Sequence, residues 1–295
     1  MIKYNKIKDS YKFNEKNVNF FINIGFIITN NCMNKCLFCC DPQKEAEVFS
    51  LKDSKKYLSA LAKRGLKKLC ITGGEPLLNK HVYKIAKCAH DLGLNVTLAT
   101  NGFILTKEKL LKLKSNIDNI RFSILGSEKT HDKITGNSGS YQKVLQGIDL
   151  AKKLKTPVTI VSTIFADNLS DLPSIARLCE KKGVEKLYIF SLMYKGKAKE
   201  IHKEQHVPAQ KINKILTKIK KIGKQEKWNL GITLINWDIE GQCVLLYPNG
   251  DLFASPSHKD VGEAKLLGNL KHDSAQKMWD NYPFKESYLM YYKAH

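Results

Sequence analysis

At 295 residues, with 43% hydrophobic side chains, the chain is long enough for one large α/β domain plus a small extension and can bury a real core. Its best apolar run, residues 20–28, is too short to span a bilayer and is interrupted by Asn23 and Gly25; the lysine-rich first 19 residues hold no signal-type apolar segment, so a cytoplasmic protein without a membrane span is expected. The net charge of +21 would suit nucleic acid, a nucleotide, anionic lipid or an acidic peptide, but Arg64, Arg121 and Arg177 are the only arginines. The charge therefore reads chiefly as solvated lysine faces, and nucleic acid is not expected as a partner.

Eight cysteines do not form a disulfide-type framework here: three share one loop and the rest are scattered in apolar contexts. That usage points to a reducing compartment and to metal binding.

Residues 1–19 carry no periodic pattern and read as an irregular arm. Residues 20–29 read as a buried strand, followed directly by Cys32-Met33-Asn34-Lys35-Cys36-Leu37-Phe38-Cys39. Three thiolates at this C-x3-C-x2-C spacing can hold three irons of a [4Fe–4S] cluster. Four cysteines are usual, so the fourth iron would stay open to a non-protein ligand, and an open position is what a catalytic metal site keeps. The residues alone also admit three unrelated thiols or a zinc loop. Zinc would want a fourth ligand, and Cys40, adjacent to Cys39, could hardly join the same tetrahedron.

Helices and strands then alternate. Helices are expected at residues 50–64 (stopped by Gly65), 80–92 (stopped by Gly93), 107–114, 140–154, 170–182 (stopped by Gly183) and 208–224. Strands are expected at 68–72, 94–100, 117–125, 157–165 and 184–193. Six βα-type units between 20 and 226 imply a parallel sheet, and six fall short of the eight that close a barrel, so an open, partial (βα)6 TIM-like barrel is expected. The cysteine loop would lie at the C-terminal end of the first strand, where such barrels place their active sites. Residues 227–295 form a small α+β extension, with a strand-like run at 230–236, a hairpin around Asn249-Gly250 and a short helix at 273–282.

Two further motifs end strands. Thr72-Gly73-Gly74-Glu75-Pro76 closes the second, and Thr100-Asn101-Gly102 the third. Each alone is an ordinary turn, although paired glycines allow a backbone to approach a ligand closely. Taken together with the cysteine loop and its Phe38, in this order and spacing, they resemble the radical S-adenosylmethionine (SAM) superfamily over about residues 20–200.

The resemblance implies one [4Fe–4S] cluster on Cys32, Cys36 and Cys39, whose open iron chelates SAM. It implies reductive cleavage of SAM to a 5′-deoxyadenosyl radical that abstracts a substrate hydrogen, with a reductant such as flavodoxin or ferredoxin. Gly73, Gly74 and Glu75 resemble the turn that binds the methionyl amino group, and Phe38 the aromatic residue near adenine. Asn101, Ser123, Ser162, Asn168 and Met193 match positions of further SAM contacts; for the later ones a plain structural role is an equal reading. His131-Asp132 resembles a substrate-facing loop of the peptide- and cofactor-modifying branch, while a helix cap by Asp132 is the simpler reading.

The tail resembles the SPASM or twitch extension through Cys243, the run Tyr247 to Phe253, and Leu267-Gly268-Asn269-Leu270 followed by Met278-Trp279. Those extensions bind auxiliary clusters through several cysteines. Here Cys243 is the only cysteine after Cys179, and Ser255 stands where a cysteine often follows the hairpin. No auxiliary cluster is expected. Cys243 is then a small buried hydrophobe or, speculatively, a catalytic hydrogen donor. Cys70, Cys88 and Cys179 read as core. The function implied is radical modification of a peptide or protein; the alternatives are a cyclase or dehydratase acting on a nucleotide or other small molecule, and a non-catalytic Fe–S or nucleic-acid-binding protein.

Overall fold

A computed structural model describes residues 20–40, 50–235, 243–255 and 264–283. The expected arm over 1–19 lies outside the described residues, as do parts of the extension. Seven parallel strands run in chain order: β1 (Asn23–Ile27), β2 (Lys68–Thr72), β3 (Asn95–Thr100), β4 (Asn119–Ser123), β5 (Val158–Ile164), β6 (Lys186–Ser191) and β7 (Gly231–Ile235). Helices α1 (Leu51–Arg64), α2 (Val82–Asp91), α3 (Lys107–Leu113), α4 (Glu128–Thr135), α5 (Ser140–Lys153), α6 (Leu172–Lys181), α7 (Ala198–Gln205) and α8 (Ala209–Gln225) fill the connections. With β8 (Cys243–Leu246), β9 (Asp251–Ser255) and β10 (Lys265–Asn269) from the tail, the sheet is open, as the sequence implies, and its order is β10-β9-β8-β1-β2-β3-β4-β5-β6-β7.

Local sequence explains the elements. Ser50 caps α1 by accepting from the Asp53 amide at 3.1 Å. Strands β1 to β4 alternate. Ile24 and Phe26, Leu69 and Ile71, Val96 and Leu98, Ile120 and Phe122 are buried toward the helices, while the intervening Gly25, Cys70, Thr97 and Arg121 line a cavity inside the barrel. On the outer side they meet Tyr57, Leu58, Leu61 and Ile85 in one continuous core. Each fully buried Leu, Ile or Phe contributes about 1.5–3 kcal/mol.

The tail is wired into the barrel. Of the run expected at 230–236, residues 231–235 form β7 and pair parallel with β6, Lys186 opposite Gly231 and Phe190 opposite Ile235. The sheet therefore continues past residue 226, where the core was expected to end. The hairpin forms as expected from β8 (Cys243–Leu246) and β9 (Asp251–Ser255), and β8 lies parallel along β1. β10 (Lys265–Asn269) and the short helix α9 (Ala275–Asp280) complete the meander. Trp279 and Tyr282 pack edge-on against Phe21, with ring centres 5.0 and 5.1 Å away. Among the described residues no helix is long and apolar enough to cross a membrane.

Candidate active site

The cysteine loop leaves the C-terminal end of β1 and is fastened at both ends. At its start, the amide of Gly74 donates to Thr29 O at 2.8 Å and that of Glu75 to Asn31 O at 2.7 Å. A Cβ on Gly73 would lie 2.3 Å from Thr29 O, and one on Gly74 2.2 Å from Asn31 O. The two glycines thus admit the backbone of the cysteine loop itself. In its middle, the amides of Lys35 and Leu37 donate to Thr135 O (2.8 Å) and Ile134 O (3.0 Å), carbonyls at the end of α4. At its far end, Lys197 N donates to Cys39 O at 2.9 Å. Gly196 sits there at φ +58°, where a Cβ would meet Cys39 O at 2.4 Å and Cys40 O at 2.5 Å.

Glu75 is fully buried. Its carboxylate accepts from Leu77 N (3.1 Å), Thr100 Oγ1 (2.8 Å) and Asn101 N (2.8 Å), tying the ends of β2 and β3 together. Burial pushes its pKa up, against the pull of those donors. Its carboxylate does not reach the cavity; of the glycine turn, Gly73 does. Asn101 also stays outside the cavity wall but touches the loop, its Nδ2 3.7 Å from Cys32 Sγ and 3.1 Å from Met33 Sδ.

Cys32, Cys36 and Cys39 are all half-buried. Burial first, then the neighbouring Cys39 and Cys32, pushes the Cys36 thiol up to about 12, with Lys197 pulling the other way. Burial also raises Cys32, with Glu75 and Cys39 adding to it. Thiols close enough to oppose one another's ionisation become thiolates when a cation joins them. Cys32 Sγ already accepts from Asn34 N at 3.4 Å, the kind of N–H···S contact that tunes Fe–S centres. The donor set therefore fits an Fe–S cluster. Among the described residues no three His, Cys, Asp or Glu side chains already converge at metal-binding geometry; backbone hydrogen bonds hold the loop that carries the three thiols.

Beside the loop, the barrel encloses a cavity of about 870 Å³, within the range of small-molecule sites. Phe38, Gly73, Ser123, Met193 and Cys243 line it, as does Cys40. Phe38 leans on Phe165, ring centres 5.7 Å apart, over a small cluster of Leu125, Ile134 and Leu192. Cys243 is at the other end. Its strand pairs Leu245 with Gly25, which puts Cys243 level with Asn23, about 16 Å below the exit of the cysteine loop at 3.3 Å per residue.

Like Gly74, Glu75 and Asn101, the expected SAM contacts Ser162 and Asn168 do not line the cavity. Ser162 is fully buried and its hydroxyl has no hydrogen-bond partner among the described residues; Thr159, Val161 and Thr163 take the inward positions of β5, so strand alternation turns Ser162 toward the helices. Asn168 is spent on backbone: it accepts from Phe165 N (2.9 Å) and donates to Leu125 O and Thr163 O (both 2.9 Å). The His131-Asp132 stretch is helix α4, not a loop. Asp132 caps α5 by accepting from Gly139 N (2.6 Å), Ser140 Oγ (2.9 Å) and Tyr141 N (2.9 Å). Sequence reasoning missed Gly196 and Lys197, whose signal was a glycine just past the sixth strand, and the inward-facing Arg121.

A profile described as the radical SAM superfamily matches residues 26–179, just over half of the chain, and spans the cysteine loop and the glycine turn. The chain belongs to the radical SAM superfamily. This superfamily joins a [4Fe–4S] cluster to SAM, and the three-thiol loop beside the cavity is the set of residues that would hold the pair. The AdoMet-dependent heme synthase of Methanosarcina barkeri is 30% identical over 182 residues, 60% of this chain and 52% of that one. The PqqA peptide cyclase of Bradyrhizobium diazoefficiens is 28% identical over 174 residues, 57% and 46% of the two chains. The chain thus spans about half the length of these curated relatives. Among solved structures, Streptococcus suis SuiB bound to S-adenosylmethionine superposes with a TM-score of 0.74 at 14% identity, covering 92% of this chain and 68% of that one. The anSMEcpe enzyme with bound AdoMet and Kp18Cys peptide superposes with a TM-score of 0.72 at 14% identity, covering 90% and 83%. At that identity the likeness is one of fold: an α/β partial barrel.

Proposed function

We propose that this chain is a radical SAM enzyme that modifies a peptide or protein at a single cluster. The observation that carries the radical SAM reading is the Cys32, Cys36, Cys39 loop, fastened by Gly74, Glu75, α4 and Lys197 at the edge of the barrel cavity. When bound, the cluster and SAM supply a 5′-deoxyadenosyl radical able to take a hydrogen atom from a substrate. The chain's own part is positioning and shielding. Gly73 and Ser123 offer polar contacts at the cavity rim, Phe38 and Met193 offer apolar wall, and Asn101 holds Cys32 from the side.

The tail supports the peptide reading. A three-stranded meander continues the sheet beside β1, and one of its residues, Tyr247, accepts from Lys195 Nζ at 2.8 Å. Lys195 precedes Gly196 and Lys197, so the meander touches the same segment that clamps the cysteine loop. With Cys243 the only cysteine beyond the barrel, no auxiliary cluster is proposed. The electron would come from a flavodoxin- or ferredoxin-type donor in a reducing cytoplasm. Peptide cyclases stand among the relatives, and SuiB has been solved with its precursor peptide SuiA.

A small-molecule substrate is the second reading, favoured by the enclosed cavity inside the barrel. Mass spectrometry of candidate peptides after incubation with the reconstituted protein, SAM and reductant tests the choice. A SAM-dependent mass change in a peptide supports the first reading; SAM turnover on small acids or nucleotides with every peptide unchanged refutes it.

A further inference from the structure

The inner wall of the barrel below the rim is cationic. Arg121 occupies an inward position of β4, two residues before Ser123 on the same face, so it lies about 7 Å deeper in the cavity. Its guanidinium carbon stands 5.0 Å from the centre of the Tyr188 ring, and Lys186 Nζ stands 4.8 Å from that ring. Its Nε is buried and has no hydrogen-bond partner among the described residues. Lys68, at the start of β2, lines the same cavity. Burial, and then the nearness of Lys186, holds its pKa below the usual lysine range.

Among the described residues, no carboxylate forms an ion pair with Arg121. Asp118 lines the cavity, but its Oδ2 accepts from Val96 N at 2.7 Å. Glu185 is half-buried, and burial pushes its pKa up against the pull of Lys152. The other two arginines have surface partners: Arg64 donates to Gln276, and Arg177 to Glu226 at 3.4 Å. Arg121 is half-buried; a guanidinium so placed gains from an anionic partner, and an aromatic face returns only about 0.5–2 kcal/mol. Arg121 lines the large cavity, and its guanidinium has no carboxylate partner among the described residues.

We propose that the barrel interior holds an oxyanion subsite in which Arg121, flanked by Lys68 and Lys186 around Tyr188, receives a carboxylate or phosphate group of the substrate below the SAM-binding rim. The subsite deepens the reading given above, on which it rests: the substrate is an acid, anchored by its anionic end while its reacting carbon faces the cysteine loop. Arginine's fork suits either oxyanion. A carboxylate would come from an acidic peptide side chain or a small organic acid, a phosphate from a nucleotide.

Isothermal titration of the full, cluster-reconstituted chain with sodium glutarate and, separately, inorganic phosphate tests the subsite at constant ionic strength, with chloride as the blank. Neither SAM nor reductant is present, so a failure of radical chemistry leaves this readout untouched. Saturable binding of glutarate supports the carboxylate source, and of phosphate the nucleotide source. Either should weaken about tenfold or more in Arg121→Gln and several-fold in Lys186→Gln, which keeps the proposal testable if the first variant folds poorly. Lys218→Gln, exposed on α8, should bind as the parent does. Binding of neither anion by the parent chain, or equal binding by parent, Arg121→Gln and Lys186→Gln, overturns the subsite. In the first case, turnover of SAM by the same preparation would leave the enzyme reading standing.

Discussion

Protonating His131 should weaken the support on which the cluster loop rests. The imidazole is 1% exposed, inside α4, and its Nδ1 accepts from the Leu125 amide at 3.2 Å. Burial pulls its pKa down to about 4, with Asp132 pulling the other way, whereas an unfolded histidine titrates near 6.5. Between those values the unfolded chain binds the proton and the folded chain does not, so stability falls as pH drops through that window. The full difference is worth about 3 kcal/mol, reached near pH 4. Because α4 supplies the carbonyls of Ile134 and Thr135 to Leu37 N and Lys35 N, the loss should reach the cysteine loop. Denaturant unfolding of the cluster-free chain at several pH values from 4 to 7, compared with His131→Gln, isolates the effect. The variant keeps an acceptor for Leu125 N without a titrating ring, so the stability gap between the two should shift by about 3 kcal/mol in the variant's favour on acidification. Parallel stability curves would refute the assignment of a neutral, buried His131.

Gly196→Ala should lower iron bound per chain on reconstitution, since its methyl would lie 2.4–2.6 Å from the Cys39 and Cys40 backbone; iron content equal to the parent's would show that the β6–α7 segment does not hold the loop. Asp132→Ala removes three hydrogen bonds at the start of α5 and should cost about 1–2 kcal/mol of stability in denaturant unfolding, with a change under about 0.5 kcal/mol counting against the cap.

What was legible in the sequence was local. The cysteine spacing, the Gly-Gly-Glu turn and the alternation of β2, β3 and β4 are carried by neighbouring residues, and the structure puts the cysteine loop after β1 and the turn after β2. What was hidden depends on partners distant in the chain. Ser162 lies in Val158–Ile164, a run with β-branched residues on both faces, so no alternation marks which way the serine points. Asn168 follows its strand as a ligand contact would, yet three backbone groups consume its amide. The glycines at 73 and 74 announced a close approach without saying to what, and the neighbour is the cysteine loop. The run at 231–235 could be read as a strand, but only its pairing with β6 shows that the sheet continues into the tail.

The central claim is that Cys32, Cys36 and Cys39 hold the cluster that cleaves SAM. Its most direct measurement is 5′-deoxyadenosine formed from SAM and dithionite by the anaerobically reconstituted chain and by its Cys36→Ala variant. The parent chain should form the product, and the variant should lose both the product and the visible cluster absorbance. Product at the parent's rate from Cys36→Ala, or none from a fully loaded parent chain, would contradict the account.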